Sequence, residues 1–427
     1  MMRAPAGEEM DEPMDERRLE RLHAEAEGYL SALQPLLALP AETVPQLTAA
    51  EARKALSWAA GRLGSELVEI KGAAPTFLIL PPGDAAPDVT LLATWHAESM
   101  PVTPAALEGA ERPALAATLA AAGAVAGAGA EPGAARAGAA ARAAVGARKP
   151  PRIAVVVPPA ATHGSLVLLE TLGAHRERLR APVAFWPRLT GPAPARRRVF
   201  LGARGRAVIG LWGEGGNPYA LRDEIVLALG NEAYGPRPLD FELLRKLALN
   251  VEALDFLEES FEDPDALAGE AIPATRLRVA LFEPRGRVLT PPVRHPDRPR
   301  AWLVFETAEN MDAAEILARI EAGSAGSRTE LAEAFPWDRL SIHHPSIQAL
   351  IRLAKARSEG AEIWPMAPWA TPSGAFSRAL GVPLAEWGVP LPAGSTLRQP
   401  SPEAYRPVIA EIAELILRGA GLAQSEA

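Results

Sequence analysis

The 427-residue chain contains no cysteine. Disulfides, thiolate zinc sites and a cysteine nucleophile are excluded, so any transition-metal site must use His, Asp and Glu. Long apolar runs are also missing: none approaches the roughly 18–20 residues needed to span a bilayer, and no membrane partner is expected. Lysine is scarce, with Arg supplying 39 of the 44 basic residues. Aromatics make up only 5% and the net charge is −8, so there is no basic, aromatic-studded face to bind nucleic acid. The opening stretch MMRAPAGEEMDEPMDERRLERL is charged and lacks the apolar centre of a secretion signal, which makes the cytoplasm the expected address.

What is present is ordinary for a globular chain: 48% hydrophobic and 22% charged residues. The length exceeds one ordinary core and predicts two domains. Apolar positions at helical spacing predict helices over 15–39 and 49–63. LVEIKG, PTFLILP and VTLLATWH predict three strands, separated by Gly, Pro and Asp turns. Residues 112–147 are Ala, Gly and Arg throughout most of their length, and predict one or two helices broken near GAGAEPGAARAG. RIAVVVP is the continuous apolar strand of a parallel sheet, followed by a helix in HGSLVLLETLGAHRERL.

From about residue 197 the pattern changes to strand RRVFLGARGRAVIGLWGEG, helix NPYALRDEIVLALG, strands TRLRVALFEP and RAWLVFET, helix MDAAEILARIEAG and a strand in WDRLSIH. That order predicts a split βαβ, ferredoxin-like module. A helix in SIQALIRLAKARSEG, a strand in ALGVPLAEWGVP and a closing helix in SPEAYRPVIAEIAELILRGAG complete the chain. The fold class expected is α/β: a discontinuous mixed-sheet domain over 1–196 plus 336–427, with an α+β module inserted over 197–335.

Taken in order, these pieces resemble the acetylornithine deacetylase, dipeptidase and carboxypeptidase family of co-catalytic zinc amidohydrolases (metallopeptidase family twenty). DVTLLATWHAESMPV resembles its strand running into G-H-x-D-x-x-P; LGARGRAVIGLWGEGG then NPYALRDEI resembles the start of its inserted lid; SGAFSRALGVPLAEWGVPLPAGSTLRQPSPEAY resembles its closing segment. The resemblance covers most of the chain and implies two zinc ions sharing a carboxylate, a Glu as general base on the bridging water, and a lid that dimerises.

The ligands so implied are incomplete. His96 matches the first metal ligand, and Glu98 stands where an Asp orients it, making Glu98 the sole candidate for a catalytic acid or base. Glu131 in GAGAEPGAA takes the place of the bridging Asp. Ala161 and Thr162 in ATHGS replace the family's Glu pair, and His163 beside them is the remaining donor. The next acidic ligand should fall near VAFWPRL, which has no carboxylate; Arg398 or Gln399 stands where the closing His would be; and no lid His occurs in GLWGEGGNPY. Ser373 and Gly374 match the loop that binds a substrate carboxylate through backbone amides, with a structural turn and helix cap as the competing reading.

Plainer readings accompany each residue. His96 can be a strand-end His satisfied by Glu98 or by backbone, Ser165 or Thr162 a helix cap, His343–His344 turn or packing residues, GAGAEPG a flexible turn, and the acidic run 252–270 a solvated insertion. Trp364, Trp369 and Trp387 can line a pocket near the Ser373 loop or pack in the core. Three functions stay open. The first is a non-catalytic binder of a peptide, an amino-acid derivative or a protein partner, needing no cofactor. The second is an amidohydrolase on acylated amino acids or dipeptides, using one metal such as zinc on His96, Glu98, Glu131 and His163. The third is a structural subunit paired with an active paralogue. A homodimer, or a heteromer with such a paralogue, would form through the inserted module.

Overall fold

The computed structural model describes residues 48–71, 75–95, 111–126, 150–159, 166–192, 197–212, 276–280, 301–307, 317–318, 321–322, 328–355, 361–364, 367–391 and 402–426. Helix α1 (Ala49–Arg62) starts at a capping box. Thr48 Oγ1 accepts the Glu51 N–H at 3.2 Å and Glu51 Oε2 accepts the Thr48 N–H at 2.8 Å, so two orphan donors of the first turn are satisfied locally. Its Ala52, Leu56, Ala59 and Ala60 face the core.

Strands β1 (Glu66–Ile70), β2 (Thr76–Leu80), β3 (Val89–Leu92), β4 (Ile153–Val157), β5 (Val183–Pro192), β6 (Arg197–Phe200), β12 (Ala361–Trp364) and β14 (Leu384–Leu391) form an eight-stranded sheet in the order β1-β2-β4-β3-β5-β14-β6-β12. Its centre, β4-β3-β5-β14, is parallel. β2 joins β4 antiparallel, as β6 joins β14. The continuous apolar runs in β2, β3 and β4 are explained by burial on both faces.

Alternation of side chains splits these strands between two apolar layers. Phe77, Ile79, Val89, Leu91, Val155 and Phe185 pack under α1, α2 (Glu111–Ala126), α5 (Pro345–Lys355) and α7 (Pro402–Glu426). Leu78, Leu80, Leu92, Ala154, Val156 and Ala184 pack under α3 (Leu166–Ala174), α4 (Arg176–Leu179) and α6 (Ser373–Leu380). The stretch expected as one helix after β4 is two, parted at His175.

The chain leaves this sheet at Leu201. Strands β7 (Gly202–Trp212), β8 (Arg276–Ala280), β9 (Ala301–Thr307) and β10 (Arg328–Phe335) make a second, antiparallel sheet in the order β10-β7-β9-β8. That order and direction are those of a split βαβ module. Its fourth strand is β10, RTELAEAF, and not the expected WDRLSIH, of which only β11 (Asp338–Arg339) is extended. Cross-strand pairing to β7, with a bulge at Leu331–Glu333, overrides the helix-forming Glu, Leu and Ala of that segment. β11 and β13 (Ala367–Ala370) pair with the first residues of β7 and carry the chain back to α6.

Candidate functional site

The carboxyl ends of β4, β3, β5 and β14 lie side by side, the edge at which open α/β sheets place their ligands. Past β3, Trp95 makes an isolated parallel bridge with Pro159, and its N–H donates to the Pro158 carbonyl at 3.2 Å. Its indole is fully buried, packs on the Phe77 ring at 5.7 Å, and donates to the Pro75 carbonyl at 3.1 Å. The chain therefore enters His96 from a rigidly held residue, and enters Ala160 from the neighbouring strand.

On β5 the segment VAFWPRL carries Pro187 and Arg188 toward this edge. Arg188 Nη1 donates to Glu386 Oε1 on β14 at 2.7 Å, and its guanidinium lies 4.9 Å from the Trp186 ring centre. Glu386 is 8% exposed. Its Oε2 is buried and makes no hydrogen bond among the described residues. The pair is thus monodentate: Glu386 consumes one guanidinium N–H and fixes the head group against Trp186.

A second polar cluster is buried where β11 meets α6. Asp338 Oδ2 accepts the Ser373 hydroxyl and, at 2.7 Å, the Ser377 hydroxyl. Burial pushes the Asp338 carboxyl above the ordinary aspartate range. The two serine hydroxyls, the Arg339 backbone and nearby His344 oppose that rise without cancelling it. Gly374 has no room for a side chain: a Cβ would lie 2.0 Å from the Pro336 carbonyl oxygen and 2.9 Å from that of Trp337. α6 ends at Gly381 in the left-handed region, φ 72°, and β14 begins three residues later.

The sequence-derived candidates can now be placed. Ser373 and Gly374 are buried at the start of α6, engaged with Asp338 and with the Pro336–Trp337 backbone. The helix cap expected at Ser373–Gly374 falls one residue earlier, on Pro372, which has no side-chain donor or acceptor to give, and the Ser373 N–H donates to Thr371 Oγ1 at 3.3 Å. His344 Nδ1 accepts the Ser346 N–H at 3.2 Å inside its turn, and Ser346 Oγ accepts the Ala184 N–H at 3.2 Å, tying α5 to β5. Trp387 is core, its indole donating to Glu411 Oε1 at 3.0 Å. His96, Glu98, Glu131 and His163 lie outside the described residues, as do Thr162, Ser165, Arg398, Gln399 and the run 252–270.

Arg188 and Glu386 were not among the sequence candidates. The available signal was an acid in ALGVPLAEWGVP at a position whose strand neighbours are apolar, and a buried acid demands a cation. Its partner lies 198 residues away and only the sheet brings them together.

No protein-family profile matches the chain, and no curated protein matches it in sequence. Solved structures do match. An M20 family metallo-carboxypeptidase of Sulfolobus solfataricus superposes with a TM-score of 0.56 at 15% identity, covering 87% of this chain and 95% of that one. The chain has the M20 metallopeptidase fold. The di-peptidase Dug1p of Saccharomyces cerevisiae (TM-score 0.57, 12% identity, 95% of this chain and 98% of that) agrees with it. So does human carnosine dipeptidase 1 (0.55, 11% identity, 95% and 98%).

The metal implied by an M20 fold can be set against the residues present. Among the described residues, no group of three His, Asp or Glu side chains could hold a metal ion. Where β5 reaches the carboxyl edge it presents the Arg188 guanidinium, which repels a divalent cation and, among the described residues, pairs with Glu386 Oε1.

Proposed function

We propose that this chain is a non-catalytic protein of M20 fold which binds a peptide, an amino-acid derivative or a protein partner at the carboxyl edge of its large sheet. The observation that carries the reading is Arg188. In the stretch where the fold's next acidic ligand should stand, β5 offers no carboxylate and instead holds a positive charge in place with Glu386. Ala161 and Thr162, standing for the general base and its neighbouring ligand, support it from the sequence.

In this reading residues 1–196 and 336–427 form the binding domain and 197–335 the lid, through which two chains, or this chain and an active paralogue, associate. The split βαβ order of the second sheet supports that division. No helix among the described residues is long and apolar enough to cross a membrane, and the proposed site of action is the cytoplasm. One observation favours a second reading, a single-metal amidohydrolase with zinc on His96, Glu98, Glu131 and His163. The segments holding His96 and His163 follow the bridged strand ends at Trp95 and Pro159.

Assays on a panel of N-acetyl amino acids and dipeptides, with zinc, manganese or cobalt added, separate the two. The first reading expects no turnover above buffer with any metal. Turnover that disappears in His96→Ala would replace it with the second.

A further inference from the structure

Among the described residues the chain passes between its two sheets twice, outward at Leu201 and back over Phe335–Asp338. The two passes are zipped together. Asp338 and Arg339 pair with Ala203 and Gly202, and the Leu340 N–H donates to the Leu201 carbonyl at 2.7 Å. α6 belongs to an apolar layer of the large sheet through Ala375, Phe376, Ala379 and Leu380. Its first turn presses on the returning pass, since a Cβ on Gly374 would meet the Pro336 carbonyl oxygen at 2.0 Å. The polar link at that contact is Asp338, whose Oδ2 accepts the Ser373 and Ser377 hydroxyls of α6.

An ionisable group at this point makes the contact sensitive to protons. Asp338 is 8% exposed, so its charged form gives up most of its hydration when docked. The groups facing it replace that hydration only in part. α6 supplies the two hydroxyls, and Arg378, the one ionisable residue of that helix, is exposed. The Arg339 backbone acts from Asp338's own strand, and His344 from the turn before α5. Gly202 and Ala203 of β7 and the APWA of β13 carry no ionisable side chain. Burial outweighs these groups, so the docked carboxyl holds its proton more tightly than a solvated one. By linkage, protons favour the docked arrangement and ionisation favours its release.

We propose that Asp338 is a proton-operated latch between the two sheets. Protonated, it holds the returning strand on α6 through Ser373 and Ser377; ionised, it lets the second sheet, with β11, tilt at Leu201 and Leu340. For each pK unit that separates the docked from the released carboxyl, the released fraction rises about tenfold across the titration. Nothing in the latch depends on metal or on the ligand of the binding reading, so either proposed function leaves it standing.

The absence of cysteine from the chain makes a direct test possible. Ser57→Cys on α1 and Arg328→Cys at the end of β10 away from Asp338 are both exposed positions for spin labels on the full chain. Double electron–electron resonance then reads the distance between the two sheets, and circular dichroism checks that each sample is folded. The labelled protein should give one narrow distribution at about pH 4 and a broader one at about pH 8. Asp338→Asn, which accepts both hydroxyls without charge, should stay narrow at both. Ser373→Ala combined with Ser377→Ala should be broad at both. Ser377 is half-buried, so Ser377→Ala alone, broader than the parent at about pH 4, replaces the pair if that double variant does not fold.

Identical distributions at the two pH values in the parent would overturn the latch. So would a pH dependence that survives in Asp338→Asn, which would move the effect to His344, or a narrow distribution in the serine variants. If the parent unfolds near pH 4, the comparison at about pH 8 decides alone: Asp338→Asn narrower than the parent supports the latch, and equal widths refute it.

Discussion

Gly374→Ala is the sharpest structural perturbation available. The new Cβ would stand 2.0 Å from the Pro336 carbonyl oxygen and 2.6 Å from its carbon, both backbone atoms that cannot rotate away. Restoring ordinary contact, which begins at 3.4 Å, requires α6 and the Pro336–Asp338 segment to part by about 1.4 Å. The Ser377 hydroxyl bond to Asp338, 2.7 Å long, would then exceed hydrogen-bonding distance, and the Ser373 bond would go with it. Overpacking costs about 1–3 kcal/mol and two lost hydrogen bonds about 0.5–1.5 each, a sum near 4 kcal/mol. Gly173→Ala in α3 is the control: it meets nothing within 4 Å, and should stabilise by up to about 1 kcal/mol. Urea unfolding followed by the fluorescence of the nine tryptophans reads both. If Gly374→Ala unfolds within about 0.5 kcal/mol of the parent, the buried contact described here is wrong.

Three further outcomes are expected. Asp338 has its folded-state pKa raised by burial, so its contribution to stability is fully present below the unfolded value near pH 4 and is lost as pH rises through the folded value. Asp338→Asn can still accept both serine hydroxyls and carries no charge, so its stability relative to the parent should increase from about pH 4 to pH 8, and a pH-independent difference would contradict the assignment. Trp387→Phe removes the indole donor to Glu411 at full burial, and should lower stability by about 2–4 kcal/mol in the same urea assay, with less than 1 counting against it. Gly419→Ala drives a Cβ to 2.5 Å from the Phe185 ring, a side chain that can yield, so it should cost about 1–3 kcal/mol and less than Gly374→Ala, an order that denaturation midpoints check.

The central strands were legible because burial on both faces demands uninterrupted apolar runs, as in IAVVV and TFLIL. β10, β12 and β13 were not. RTELAEAF has the composition of a helix, and becomes a strand because β7 offers it a complete ladder. β12 and β13 are four residues each and owe their extension to β6 and β7, more than 150 residues earlier.

The cluster around Asp338 was hidden for a similar reason. WDRL has the character of a strand, while the carboxylate's partners Ser373 and Ser377 lie 35 and 39 residues away. For Arg188 only the negative fact that VAFWPRL lacks an acid is legible in the sequence. The positive fact, a cation held by Glu386, exists only once β5 and β14 are neighbours.

Whether this M20 fold binds metal decides between the two proposed functions. Mass spectrometry of the native protein, before and after dialysis against excess zinc, tests it most directly. If the proposed non-catalytic reading holds, both samples contain less than about one tenth of an equivalent of zinc, manganese or cobalt, in keeping with the Arg188–Glu386 pair on β5 and β14. One tightly held metal per chain, lost in His96→Ala, would contradict it and make this protein a metallohydrolase with a rebuilt ligand set.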